Sequence, residues 1–202
     1  MGTFSKHQVV KAVTIDYPHE EIHEGDSFTA HYSVAVSDTN HRTAISFKTG
    51  ATAKHLHMIV EVHGTAASVA YLYENAIISG GTAGQPGALL AYNRNRNSTN
   101  TSTIISTHST PVVGGLSSWT EALLLNGGVG VTDNFIQSTA TELDTIPLGG
   151  GTNPISAIGG TSRGSQEFIL EEDTVYLVMI QSSNADDNTH KIRLDWYEHT
   201  GV

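Results

Sequence analysis

The sequence predicts an all-β fold: an antiparallel β-sandwich, jelly-roll-like, with long Gly-rich loops and at most one short helix. Three observations carry this. Apolar and polar residues alternate over several segments of strand length. Clusters of turn-forming residues separate those segments. Charged residues are sparse at 15%, while Gly is plentiful at 20 residues, a composition suited to many turns rather than to a helical enzyme. At 202 residues the chain is expected to form one domain over 1–202, large enough for a real core, with an elaborated loop region at about 79–165.

The elements follow in chain order. "FTAHYSVAV" places Phe28, Ala30, Tyr32, Val34 and Val36 on one parity, the pattern of a half-buried strand. "HLHMIVEVH" does the same with Leu56, Met58, Val60 and Val62. "SVAYLYE" alternates Val69, Tyr71 and Tyr73 against smaller residues, and "TVYLVMIQS" and "HKIRLDWYEH" read as two further strands. Turns are expected at Glu24-Gly25-Asp26, Ser37 to Asn40, His63-Gly64-Thr65 and Asn184 to Asn188. The one candidate helix is "SSWTEALLL", with Ser117 or Ser118 as N-cap and Glu121 in the first turn; a strand is the alternative there. Between Ser79 and Ser165, patches such as "SGGTAGQPGA", "NGGVGV" and "PLGGGTNP" read as long loops and short strands at one end of the sandwich. Loops of this kind carry function more often than the frame does.

Charge and composition exclude several classes. Ten Lys and Arg stand against twenty Asp and Glu, a net charge of −10 that opposes general binding to a nucleic-acid backbone. Cysteine is absent, which excludes disulfides and zinc–thiolate sites. No apolar run reaches the length of a membrane span. The opening "MGTFSKHQVV" lacks an apolar stretch, so no secretory signal is expected. There is no G-x-S-x-G elbow, phosphate loop or dinucleotide fingerprint.

Three segments look like chemistry. "HEEIH" at His19 to His23 matches H-E-x-x-H literally. That motif binds zinc only on a helix, which puts both histidines on one face. Pro18 before it and Gly25-Asp26 after it favour a polar strand edge ending in a turn. "HLHMIVE" gives His55, His57 and Glu61, an H-x-H-x-x-x-E spacing whose side chains share one face of a strand and suit a divalent metal. No partner motif for a further ligand follows, so a polar, solvent- or interface-facing strand face is the preferred reading, and no cofactor or metal is expected. "NRNRNSTNTST" puts Arg94 and Arg96 on the same parity among Asn95 and Asn97. Two arginines with Tyr92 as the one nearby ring fall short of a single-strand nucleic-acid groove. Their donor forks suit carbonyls and carboxylates. Either they dock a neighbouring subunit, or they pin the loop to its own sandwich through Glu74 or Asp195.

Several blocks together carry a resemblance: "HEEIHEGDSFTAHYS", "YLYENAIISGGTAGQP" followed by "NRNRNSTNTST", "GGTSRGSQEFILEEDTVYLVMIQS", and the terminal "LDWYEHT". In this order they resemble a family of tailed-bacteriophage virion structural proteins of auxiliary capsid or decoration type. The resemblance implies a non-enzymatic virion component made in the host cytoplasm; it leaves head surface, tail and adaptor open as positions, with the capsid surface preferred. It implies two partners, the major capsid protein and further copies of the chain, as a homotrimer. From the residues themselves, Arg94, Asn95, Arg96 and Asn97 are expected to form a structured polar segment that docks a neighbouring subunit as an interface or orders the chain's own loops. The alternative is a tail or head-fibre module that binds host-surface glycans, with Tyr92 and Trp119 as stacking rings. Net negative charge for solubility, and weak contacts repeated over a symmetric shell, are consistent with decoration.

Overall fold

The structure, a computed structural model, describes residues 17–36, 42–76, 78–79, 89–104, 115–120, 134–135, 140–149, 155–158, 167–183 and 186–200. One short helix, α1 (Tyr17–Glu24), leads into the strands β1 (Ser27–Val36), β2 (Arg42–Lys48), β3 (Lys54–Gly64) and β4 (Ser68–Glu74). Short strands follow at β5 (Ile78–Ser79), β6 (Leu89–Leu90), β7 (Tyr92–Asn93), β8 (Gly115–Thr120) and β9 (Asn134–Phe135). The chain closes with β10 (Thr141–Leu148), β11 (Ile155–Ile158), β12 (Phe168–Leu170), β13 (Val175–Ser182) and β14 (Asn188–Thr200).

The first sheet has the order β11-β3-β14-β1-β7, with β12 also paired to β3; the second has the order β10-β4-β13-β2-β8-β6. All of these pairings are antiparallel. Leaving out β6, β7, β8 and β11, the two sheets read β12-β3-β14-β1 and β10-β4-β13-β2. In chain order these strands change sheet at every step except from β4 to β10, which pair within the second sheet, and this is the arrangement of a jelly roll built from two Greek keys. Alternation along single strands predicts a sandwich but leaves this order open, because order is fixed by pairing between strands distant in sequence.

The core lies between the sheets. Phe28, Leu56, Met58, Val60, Val62, Ile192, Leu194 and Trp196 face it from the first sheet. Ile45, Phe47, Ala70, Leu72, Tyr176, Val178 and Ile180 face it from the second. Phe28 stacks on Trp196 with ring centroids 5.8 Å apart, and Phe47 on Tyr176 at 5.6 Å. Fully burying each such side chain contributes roughly 1.5–3 kcal/mol. In β4 the inward pair is Ala70 and Leu72. Tyr71 and Tyr73 lie on the opposite face of the second sheet, where a smaller cluster of Ala44, Tyr73, Leu177 and Met179 is itself buried. Size alone therefore did not mark the core side of this strand.

One buried polar group ties the two sheets. His190, on the inward parity of β14, lies 2.9 Å through Nδ1 from Thr43 Oγ1 of β2. Its Nε2 lies 3.1 Å from Ser182 Oγ of β13 and 3.2 Å from the Asn188 amide. A buried imidazole is tolerated because both ring nitrogens have partners.

Two sequence expectations need correction. "HEEIH" is not a strand edge: it lies in α1. Pro18 sits in the first turn, where its missing N–H is not needed. Gly25 adopts φ +84°, and Asp26 N–H donates to Glu21 O (2.9 Å) while Gly25 N–H donates to Ile22 O (3.2 Å). This is a Schellman cap, so the expected turn at Gly25 is the end of a helix. Conversely, the candidate helix begins as a strand: Gly115–Thr120 forms β8 and pairs with β2, Trp119 opposite Ala44. Residues 121–125 lie outside the described residues.

Candidate functional site

The Arg/Asn segment is built around the end of α1. A helix leaves its last carbonyls without intrahelical donors. Here asparagine amides supply them: Asn95 Nδ2 donates to His23 O (2.9 Å), Asn93 Nδ2 to Gly25 O (2.6 Å) and Asn100 Nδ2 to Glu24 O (3.4 Å). The segment also folds on itself, with Asn95 N–H donating to Asn93 Oδ1 (2.9 Å) and Asn97 N–H to Asn95 Oδ1 (3.1 Å). Arg94 lies along β1, its N–H donating to Ser27 O (2.8 Å) and its Nη1 to Ser27 Oγ (3.4 Å). Arg96 is exposed and lies over the Tyr92 ring, 5.9 Å from its centroid. Tyr92 is 47% exposed. The asparagines therefore fix a rigid ledge, and Tyr92, Arg96 and Asn97 are its outward part.

Register extends this ledge across the outer face of the first sheet. Tyr92 lies opposite Thr29, and Thr29 opposite Asp195. In the neighbouring row, Ser27 lies opposite Tyr197, Tyr197 opposite His57, and His57 opposite Ile169. Directly opposed residues point to the same face. The ledge and the histidine strand thus belong to one face, on which Ile169 is 65% exposed and Ile59, opposite Asp195, is partly exposed. Arg193 links it further, bonding Asp195 at 2.9 Å and approaching Glu61 at 3.8 Å. Glu74 accepts from the Tyr176 hydroxyl (2.7 Å). Asp195 thus accepts from Arg193 and Glu74 from Tyr176, which leaves open whether either also anchors Arg94 or Arg96, while Arg94 itself is tied to its own sandwich through Ser27.

The structure divides the His55, His57, Glu61 set. His57 and His55 meet His199, and Glu61 belongs with Arg193. His199 lies directly opposite His55, with ring centroids 5.7 Å apart, and its Nε2 lies 3.0 Å from His57 Nε2. Tyr197 stacks on His57 with centroids 4.7 Å apart; its hydroxyl lies 3.1 Å from His57 Nδ1 and donates to Glu167 Oε2 (3.3 Å). Burial lowers the His57 pKa below the ordinary histidine value of 6.5, and the nearby His199 pushes the same way; the Glu167 carboxylate opposes them. Sequence reasoning missed Glu167, Tyr197 and His199. A signal existed for two of them: in "WYEHT", Tyr197 and His199 share the parity opposite to the core residue Trp196.

The intervening Glu198 turns inward. Its buried carboxylate accepts from Ser102 Oγ (2.5 Å), from Thr103 N–H (3.0 Å) and from Trp196 Nε1 (3.1 Å). It thereby fastens the end of the Asn-rich segment to β14. On α1, His19 and His23 stack at 4.9 Å, both exposed. The close group of metal-ligating types on this side is acidic, with carboxylate oxygens of Glu21, Glu24 and Asp26 within 4.8 Å of one another. Lys54 Nζ (3.4 Å) and Asn100 Nδ2 (3.2 Å) attend Asp26. Among the described residues, no helix is long and apolar enough to cross a membrane. Comparison of the chain with protein-family models, curated proteins and solved structures found no match.

Proposed function

We propose that this protein is a non-enzymatic virion structural protein that decorates or cements a phage capsid. It acts by self-association, as a trimer, and by docking the outer face of its first sheet on the major capsid protein. The observation that carries this reading is the ledge: Tyr92, Arg96 and Asn97 point outward from a segment held by asparagine caps on α1. A surface ordered before binding loses little entropy on docking. Its exposed members, an aromatic ring and an Arg fork, are the residue types that dominate interface energetics. A jelly roll is used by many proteins with unrelated tasks. The fold supports the reading only in combination with the phage-family resemblance and the acidic, cysteine-free composition.

The test is to add purified protein to capsids that lack it and measure occupancy. Tyr92→Ala with Arg96→Ala is expected to lower occupancy at least tenfold while thermal unfolding stays unchanged. Unchanged occupancy would overturn this use of the ledge. The same half-exposed Tyr92 ring beside Arg96 favours one second reading, glycan stacking in a tail or head-fibre module. That reading expects host-cell binding that soluble oligosaccharide displaces, and no capsid binding.

A further inference from the structure

The facing nitrogens of His57 and His199 raise a question of charge. His199 Nδ1 lies 3.1 Å from Thr200 O. A carbonyl only accepts, so Nδ1 carries the proton and Nε2 of the neutral ring is a lone pair. In one tautomer the Tyr197 hydroxyl donates to His57 Nδ1 and His57 Nε2–H to His199 Nε2; in the other, the Tyr197 hydroxyl gives its proton to Glu167, which accepts only. The phenol oxygen then accepts from His57 Nδ1–H. That leaves His57 Nε2 as a second lone pair, aimed at the first from 3.0 Å. In this second tautomer the two lone pairs at 3.0 Å repel, and a cation between them relieves the repulsion.

We propose that His57, His199 and His55 bind a borderline divalent metal ion, with zinc as the representative case. Imidazole nitrogens suit such ions. Zinc–nitrogen bonds of about 2.0–2.1 Å in tetrahedral geometry separate two ligand nitrogens by about 3.3 Å. The observed pair needs to open by only a few tenths of an ångström. His55 lies directly opposite His199, its exposed ring 5.7 Å from the His199 ring; its nitrogens do not yet fall within 4.8 Å of both others, so the ring must turn to supply the third ligand. Water completes the set. Tyr197 and Glu167 act behind His57, holding its Nδ1–H and aiming Nε2, the usual role of outer partners in histidine metal sites. Glu61 is not a ligand: it is four residues from His57, about 13 Å along a strand, and it faces Arg193. The bound ion would clip the end of β14 to β3.

The experiment uses the full chain without a polyhistidine tag, stripped with chelator and titrated with Zn²⁺ in a calorimeter; Co²⁺ absorption reports the geometry. One equivalent per chain is expected, with a rise in unfolding temperature. His199→Gln and His57→Gln should each abolish stoichiometric uptake, with circular dichroism confirming the fold. Tyr197→Phe, which keeps the ring and loses the hydroxyl, should weaken binding about 10–100-fold. His19→Ala with His23→Ala should change nothing. No stoichiometric zinc uptake would overturn the proposal and leave a shared proton between the rings. Full affinity in His199→Gln, or uptake lost with the α1 pair, would overturn it as well.

Discussion

At the residue scale, Glu198 and His57 show how one strand serves two purposes by parity. Glu198 faces inward and is fully buried, yet it is tolerated because it accepts from Ser102, Thr103 and Trp196. Glu198→Ala would strand those donors away from water, at about 1–3 kcal/mol each. A loss of roughly 3 kcal/mol or more is expected in urea denaturation, and a smaller loss for Glu198→Gln, which keeps one acceptor oxygen. A loss under about 1 kcal/mol for the alanine variant would mean that water replaces the carboxylate. His57 faces outward, and burial holds its folded pKa below 6.5. The unfolded chain therefore binds the extra proton first. Its contribution to stability is fully present above pH 6.5 and is lost as pH falls from there through the folded pKa. In metal-free protein the unfolding free energy should decline over that window, and His57→Gln should flatten the decline. A slope unchanged by that substitution would assign it to other groups.

At the element scale, α1 and the Asn-rich segment stand or fall together. Gly25 closes the helix at φ +84°, and a Cβ there would lie 2.2 Å from Ser98 Oγ. Gly25→Ala should cost about 1–2 kcal/mol for the left-handed backbone alone, with more for the displaced Ser98. The readout is local: hydrogen exchange should quicken over residues 92–100 while the amides of β3 and β14 keep their protection. Uniformly faster exchange would show that the segment is not a separable unit. This region also shows where sequence reading succeeds and fails. In β1 and β3 the apolar parity was legible because each strand has one buried face, Phe28 and Ala30 in one, Leu56 to Val62 in the other. α1 was misread because eight residues with Ile22 as the one aliphatic side chain give little period, although Pro18 and Gly25 marked both of its ends. In β4 the alternation was visible but the side was not, because both faces of the second sheet are buried.

At the scale of the whole molecule, the jelly roll explains why the candidate surface was only half legible. Arg94 to Asn97 and His55 with His57 each stood out locally. Their joining on one face depends on the β1–β14 and β14–β3 registers. The contact between His57 and His199 spans 142 positions of sequence, which no local pattern encodes. The sheets end in two-residue strands at one edge each, β7 and β6, a length that discourages uncontrolled edge pairing. The proposed docking through the outer face of the first sheet fits that edge design better than strand addition does. In the proposed decoration role, a net charge of −10 would keep free copies soluble, and many weak contacts in a symmetric shell would add to firm attachment.

The most direct test of the decoration reading is electron cryomicroscopy of capsids that lack the protein, imaged after saturation with it. Ordered density is expected at repeated symmetric positions, with the face bearing Tyr92 and Arg96 against the shell. Bare capsids at saturating protein, or ordered copies with that face turned to solvent, would contradict it.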